Sequence, residues 1–376
     1  MKKKIALLLA MAMMAVGLSG CAGTGKATTE ELMTTGTVSD ATTEAMVAEA
    51  EESTQGEATK GEAEKAEETA PSTFIGSDSA EIRIGSLKGP TTMGLVNLMA
   101  KTEAGEAEQN YSYEIATDAS VITAKLVKGD LDIALIPANA ASVLYNKTEG
   151  KIQVLNINTL GVLYCVTGNK DIKKIYGLAG KTVVMTGQGT TPEYVTKYLL
   201  NAYGITDCTI EYKSEATEVV AAITKDPELI GILPQPFATV ATIQNSDLRQ
   251  AFSLTTEWNK IAGSATLVTG VTVVRKDFAD KNPDKLAAFM KEAEESANTA
   301  NKDVAGTAEL VAKYGIIEKA PVAEKAIPQC NITYIDGEKM KNGLSGYLSI
   351  LEGYNPESIG GELPSDDFYY IPEAAE

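Results

Sequence analysis

Histidine is absent from all 376 residues. Its absence removes the usual proton carrier near neutral pH and the commonest ligand for zinc or copper, so histidine-dependent catalysis is excluded. Positive charge is scarce too: 33 Lys and Arg stand against 51 Asp and Glu, a net charge of −18. Such a field repels phosphate backbones and anionic headgroups, which argues against a nucleic-acid partner or an electrostatically bound membrane surface. Cysteine is limited to four residues, of which Cys165, Cys208 and Cys330 are far apart and odd in number. That spacing suggests neither a disulfide framework nor a CxxC metal site, although one chance pair stays open. No metal and no cofactor is expected. The single tryptophan, Trp258, reads as a core residue before a ligand contact.

The chain opens on Lys2, Lys3 and Lys4, and the run from Ile5 to Val16 is almost wholly apolar. A basic start followed by a short apolar stretch is the pattern of an export signal, expected over residues 1–20. The run falls short of the ~20 residues that span a bilayer, which disfavours an uncleaved anchor. Leu18-Ser19-Gly20-Cys21 follows at once. This string resembles the lipobox of bacterial lipoproteins, which implies lipidation of Cys21, with palmitate among the chains. Several chains on one residue hold a protein stably, at ~0.8 kcal/mol per buried CH₂.

From Ala22 to about Ala80 the chain is rich in Glu, Ala, Thr, Gly and Ser, with Leu32, Val38, Val47, Phe74 and Ile75 as nearly its only large apolar residues. Such a segment cannot bury enough surface to offset its ordering entropy, so residues 21–80 read as a disordered acidic tether. A helix around Ala41 to Lys65 is the alternative. Gly23-Thr24-Gly25-Lys26 superficially has phosphate-loop composition, but no strand precedes it.

From Glu81 onward, short β-branched runs alternate with helical stretches, the signature of βαβ units and parallel sheets. Strands are expected at 81–86, 113–117, 131–136 and 152–157, with helices at 92–102, 119–129 and 138–145. A second series has strands at 182–186, 209–212 and 230–233 and helices at 192–202, 216–225 and 237–245. Two long apolar runs, Thr159–Thr167 and Ala265–Val274, read as crossovers between lobes. Helices are expected again at 283–300, 304–314, 321–327 and 337–351, before an irregular surface tail whose Tyr369 and Tyr370 serve packing. The fold class is therefore α/β. Residues 81–160 with 272–376 form one lobe and 161–271 the other, with the crossovers as a hinge.

In open α/β sheets, ligands sit beyond the carboxyl ends of strands, where loops feed helix N-termini. Three sets of residues suit that position. The first is the turn from strand to helix at Ser86, Lys88, Gly89, Pro90, Thr91, Thr92 and Met93, where free N–H groups, hydroxyls and one ammonium converge. The second is the same construction in the other lobe, at Gly187, Gln188, Gly189, Thr190 and Thr191. The third comprises Pro137 and Asn139 with Gln235, whose amides both donate and accept. Each also fits a plain capping turn. Tyr164 and Trp258 are weaker aromatic candidates. No catalytic residue is expected.

With Lys128-Gly129-Asp130-Leu131-Asp132-Ile133-Ala134 before the Pro137 loop and Leu178-Ala179-Gly180-Lys181-Thr182-Val183 before Gly187, residues 81–372 resemble the periplasmic-binding-protein-like class II superfamily. The resemblance is to its receptors for nitrate, sulfonate, taurine and thiamine precursors. It implies a two-lobed solute-binding lipoprotein, a monomer on the extracytoplasmic face of a bacterial membrane, that passes a small molecule to an ABC permease. It also leaves two other readings: a ligand-sensing receptor without transport, and an enzyme like the relatives in thiamine-pyrimidine or menaquinone biosynthesis. The loops depart from the resemblance in lacking an arginine to clamp a sulfonate or nitrate. Lys88 is left as the available cation, or the ligand is neutral or aromatic.

Overall fold

A computed structural model describes residues 73–76 and 79–371. The expected export signal, Cys21 and most of the expected tether lie outside the described residues. One part of the tether does not: Thr73–Gly76 is a strand, β1, paired antiparallel with the sheet behind it. Its alternation is short and largely exposed, which is why composition hides it.

The chain then runs β2 (Ile82–Leu87), α1 (Pro90–Met93), α2 (Val96–Ala104), β3 (Tyr111–Ala116), α3 (Ala119–Lys128), β4 (Ile133–Pro137), α4 (Ala138–Lys147) and β5 (Ile152–Leu160). It continues through β6 (Leu163–Thr167), β7 (Thr182–Met185), α5 (Thr191–Ala202), β8 (Thr209–Tyr212), α6 (Ala216–Lys225), β9 (Ile230–Pro234), α7 (Phe237–Gln244), β10 (Arg249–Ser253) and α8 (Leu254–Ile261). It ends with β11 (Val268–Arg275), α9 (Lys276–Lys281), α10 (Pro283–Lys302), α11 (Val304–Lys313), α12 (Ala320–Ala326), β12 (Ile332–Asp336) and α13 (Gly337–Tyr354).

These strands form two sheets. The first has order β1-β3-β2-β4-β11-β5-β12, with β2 parallel to β3 and β4 and the other pairs antiparallel. The second has order β10-β6-β9-β7-β8, with β7 parallel to β8 and β9. The central strands read as continuous apolar runs because helices cover both faces; Ile133 to Ile136 are all buried. The chain leaves the first sheet after β5, builds the second, and returns on β11.

The run expected as one extended crossover, 159–167, is two strands broken at Gly161 and Val162. Packing sets the break. A Cβ at Gly161 would sit 2.2 Å from Thr255 Oγ1 and 2.7 Å from Leu267 Cδ2, so only glycine lets the two crossovers pass this closely. The helix expected at 92–102 likewise divides into α1 and α2 at Gly94, whose added Cβ would lie 3.2 Å from Ile332 Cγ2. The C-terminal tail lies against the fold with its aromatics packed: Phe368 is buried 5.0 Å from the Tyr145 ring, and the Tyr370 N–H donates to Val154 O at 2.9 Å.

One apolar cluster joins the two sheets. Trp258 in α8 lies 5.1 Å from Tyr198 in α5 and 5.7 Å from Tyr347 in α13, and its Nε1 donates to Ala265 O at 2.8 Å. Trp258 and Tyr347 are fully buried.

Candidate functional site

The loops that follow the carboxyl ends of β2, β4 and β7 carry the residues expected to bind, and those after β4 and β7 meet through Asn139 and Thr191. At the end of β2, Thr92 Oγ1 donates to Ser86 Oγ at 2.7 Å and contacts Leu87 O at 2.5 Å; Thr91 Oγ1 donates to Leu87 O at 3.1 Å. These hydroxyls have spent their protons on the turn and keep only acceptor capacity for a ligand. Thr92 and Met93 are wholly buried, and Met93 Sδ lies 3.8 Å from Cys330 Sγ. Gly89 is buried and Pro90 partly so, whereas Lys88 is exposed.

The matching turn after β7 is built otherwise. Gly187 (φ 85°) and Gly189 (φ 72°) take the left-handed conformations that favour glycine, and Thr190 Oγ1 donates to Gly187 O at 2.8 Å. The N–H of Gly189, one of the residues expected to contact a ligand, donates to Glu193 Oε2 at 2.6 Å. Glu193 is also held by Lys197 one turn on. Burial pushes its carboxyl up, but the Lys197 ammonium and the Gly189 N–H outweigh that and hold it below its ordinary value. A fixed negative charge therefore already occupies the α5 N-terminus. Gln188 and Gly189 face solvent.

The third set bridges the sheets. Asn139, fully buried at the start of α4, donates from Nδ2 to Ser358 O at 3.1 Å and accepts at Oδ1 from Thr191 Oγ1 at 3.1 Å. Tyr347 OH stands 3.5 Å from that same Thr191 hydroxyl. Gln235, also buried, donates from Nε2 to Gln329 Oε1 at 3.2 Å, while its Oε1 accepts from Thr239 N at 3.2 Å and Oγ1 at 2.8 Å. Pro137 precedes Asn139 at the end of β4. Neutral polar side chains thus join segments of the two sheets at two places.

Sequence reasoning missed Gln329 and Tyr347, which come from segments more than ninety positions from their partners. It also missed a chain of neutral groups on the crossover strands. Thr159 Oγ1 donates to Asn158 Oδ1 at 2.8 Å, Asn158 Nδ2 to Thr272 Oγ1 at 3.1 Å, and Thr272 Oγ1 to Asn156 Oδ1 at 2.9 Å. The Cβ-less Gly270 makes room for it, since a Cβ there would lie 2.7 Å from Asn158 Oδ1 and 2.8 Å from Thr91 Cγ2. The Asn and Thr residues on otherwise apolar strands were the available signal. A separate hollow of about 260 Å³ opens beside Leu160, Thr255 and Asn331, and none of the expected site residues lines it. Cys165, Cys208 and Cys330 are free; burial pushes the Cys165 and Cys330 thiols up.

A family model described as menaquinone biosynthesis matches residues 89–349, from the start of α1 into α13. The chain belongs to this family. The family match takes in the whole second sheet and all of the first except β1 and β2, so Ser86, Leu87 and Lys88 lie before it and Ser358 after it. No curated protein matches. Among solved structures, an ABC transporter from Parabacteroides distasonis is 25% identical with a TM-score of 0.65, covering 78% of this chain and 99% of that one. The periplasmic aliphatic sulphonate binding protein SsuA from Escherichia coli is 14% identical with a TM-score of 0.61, covering 78% and 93%. The periplasmic nitrate-binding protein NrtA from Synechocystis PCC 6803 is 15% identical with a TM-score of 0.55, covering 73% and 82%. The architecture is that of the periplasmic-binding-protein-like fold, as the sequence motifs led us to expect.

Proposed function

We propose that this family member is a lipid-anchored solute-binding protein on the extracytoplasmic face of a bacterial membrane. Cys21 carries the lipid, lobes 81–160 with 272–376 and 161–271 close around an uncharged small molecule, and the closed form docks on an ABC permease. The observation that carries the reading is the pair of neutral bridges between the sheets, Asn139 to Thr191 and Gln235 to Gln329. Such contacts exchange readily for ligand contacts of the same kind, at a net ~0.5–1.5 kcal/mol each. Contacts of this size suit a gap that opens and shuts.

The uncharged ligand follows from Glu193. Sulphonate- and nitrate-binding neighbours take anions, whereas here the Glu193 carboxylate, paired with Lys197, already accepts the Gly189 N–H that an anion would otherwise use. The remaining candidates, Ser86, Thr91, Thr92, Asn139, Thr191 and Gln235, are all neutral, and Lys88 stands in solvent.

A second reading is an enzyme of menaquinone biosynthesis, which the family's description favours. The export-type start and the lack of histidine weigh against it. Mass spectrometry of small molecules released from protein purified without refolding separates the two. We expect one uncharged compound, released intact, whose return raises the melting temperature and lowers the scattering radius. A compound converted on incubation would establish the enzyme, and a tightly bound sulfonate or carboxylate would defeat the uncharged-ligand reading.

A further inference from the structure

We propose that the C-terminal tail, residues 355–371, is a positioning element for the cleft: it holds the Asn139 carbonyl toward Thr191, so the ligand group that takes the place of Thr191 is an O–H or N–H donor. This rests on the reading above, in which the Asn139–Thr191 bridge exchanges for ligand contacts. The tail is strapped along one face of α4. Asn139, Ser142, Tyr145 and Asn146 recur at helical spacing, which puts them on the same side. Asn139 Nδ2 donates to Ser358 O at 3.1 Å, Ser142 Oγ to Ile359 O at 2.8 Å, and Asn146 Nδ2 to Ile359 O at 3.1 Å and Glu362 O at 2.8 Å. Tyr145 OH reaches Ser365 Oγ and Asp367 Oδ1, and Phe368 packs on its ring. Gly360 (φ 92°) lets the tail touch the helix, since a Cβ there would lie 3.0 Å from Val143 Cα. The far end is pinned to β5, where Gln153 Nε2 donates to Asp367 O at 3.0 Å. Asn139 thus joins the strap on one side to α5, which follows β7 of the second sheet, on the other.

The bond directions are set from both ends. Tyr347 OH donates to Thr191 Oγ1 at 3.5 Å, Thr191 Oγ1 donates to Asn139 Oδ1 at 3.1 Å, and Asn139 Nδ2 donates to Ser358 O. A backbone carbonyl only accepts, so Ser358 O claims the amide nitrogen and leaves Oδ1 on the side of Thr191. Turned over, the amide would set Oδ1 against Ser358 O, with Asn139 and Ser358 both buried, and Nδ2 against a hydroxyl that already receives a proton. Without the tail carbonyl the first of those penalties is gone, and Thr191, able to donate or accept, meets either end of the amide. The family match ends at residue 349, so the group that orients Asn139 lies outside it.

The test uses the full chain carrying isotope-labelled asparagine, followed by hydrogen exchange of the Asn139 side-chain amide and by X-ray scattering. The Asn139 signal is identified by its absence in Asn139→Ser. In the native chain its Nδ2 protons should exchange about tenfold or more slowly than those of exposed Asn201. Thr191→Val should leave that protection in place, because it removes a partner of Oδ1 and not of Nδ2. Ser142→Ala with Asn146→Ala cuts three bonds to the tail while sparing Asn139 and Thr191. That pair should lose most of the protection and enlarge the scattering radius of the ligand-free protein. Gly360→Ala, which presses the tail off α4 at another point, should do the same. Protection lost in Thr191→Val, or kept in both tail variants, would overturn the proposal. A compound released from the native protein that carries no O–H or N–H would overturn the donor assignment. If Thr191→Val enlarges the radius and the tail variants do not, the tail proposal fails while the cleft reading stands. If neither Thr191→Val nor return of the released compound changes the radius, the cleft reading fails as well.

Discussion

The two kinds of contact that join the sheets differ in what it costs to part them. At the aromatic seam, Trp258, Tyr347 and Tyr198 are packed ring against ring, with Tyr354 5.9 Å from Tyr198. At the bridges, single neutral hydrogen bonds connect Asn139 to Thr191 and Gln235 to Gln329. Exposing the seam forfeits apolar burial over several side chains, whereas each bridge has a substitute in water or ligand. A lobe rotation of the kind proposed would therefore keep the seam and release the bridges. Sequence offers no hint of this ranking, because tyrosines and amides look equally amphipathic on paper.

The sharpest way to break the contrast is Trp258→Ala, which should destabilise the fold by ~3–5 kcal/mol in denaturant titration. A loss no larger than that of a bridge variant would make the seam dispensable. Next comes Glu193→Gln, which gives the donating Gly189 N–H a neutral and weaker acceptor and should cost ~1–3 kcal/mol at neutral pH. Because the folded carboxyl titrates below its ordinary value of 4.5, its contribution is complete above that value and is lost as the pH falls through the folded one. Acid unfolding of the native chain and of Glu193→Gln should thus converge at low pH, and parallel curves would contradict the assignment. Thr191→Val removes the donor to Asn139 and should cost ~1–2 kcal/mol while weakening the cleft ligand. The smallest effect, ~0.5–1.5 kcal/mol or less, belongs to Gln329→Ala, read as a larger scattering radius of the ligand-free protein at nearly unchanged stability.

The βαβ grammar was legible because buried parallel strands such as Ile133–Pro137 are unbroken apolar runs between helical stretches. The helix at 216–225 and the strand at 209–212 were readable to the residue. Of the four edge strands β8 was legible and the other three were not. β1, β10 and β12 have one neighbour each, so half their surface needs no apolar residue and the periodic signal thins out. Of the site, the loops were legible from glycine, proline and threonine at strand ends. Their partners were not, since Ser358 lies 219 positions from Asn139 and Gln329 94 from Gln235. Glu193 was given no role from sequence, although a carboxylate in the first turn of a helix is itself the anion that the turn attracts.

The four residues of β1 have a bearing on how the protein behaves among its neighbours. They cover the outer edge of β3, whose residues are all buried. A chain trimmed to begin at Ser79 would leave those backbone N–H and C=O groups of residues 112–115 that face β1 open along the edge of the sheet, an invitation to edge-to-edge aggregation. Thr73 to Gly76 are thus a solubility device as much as a strand.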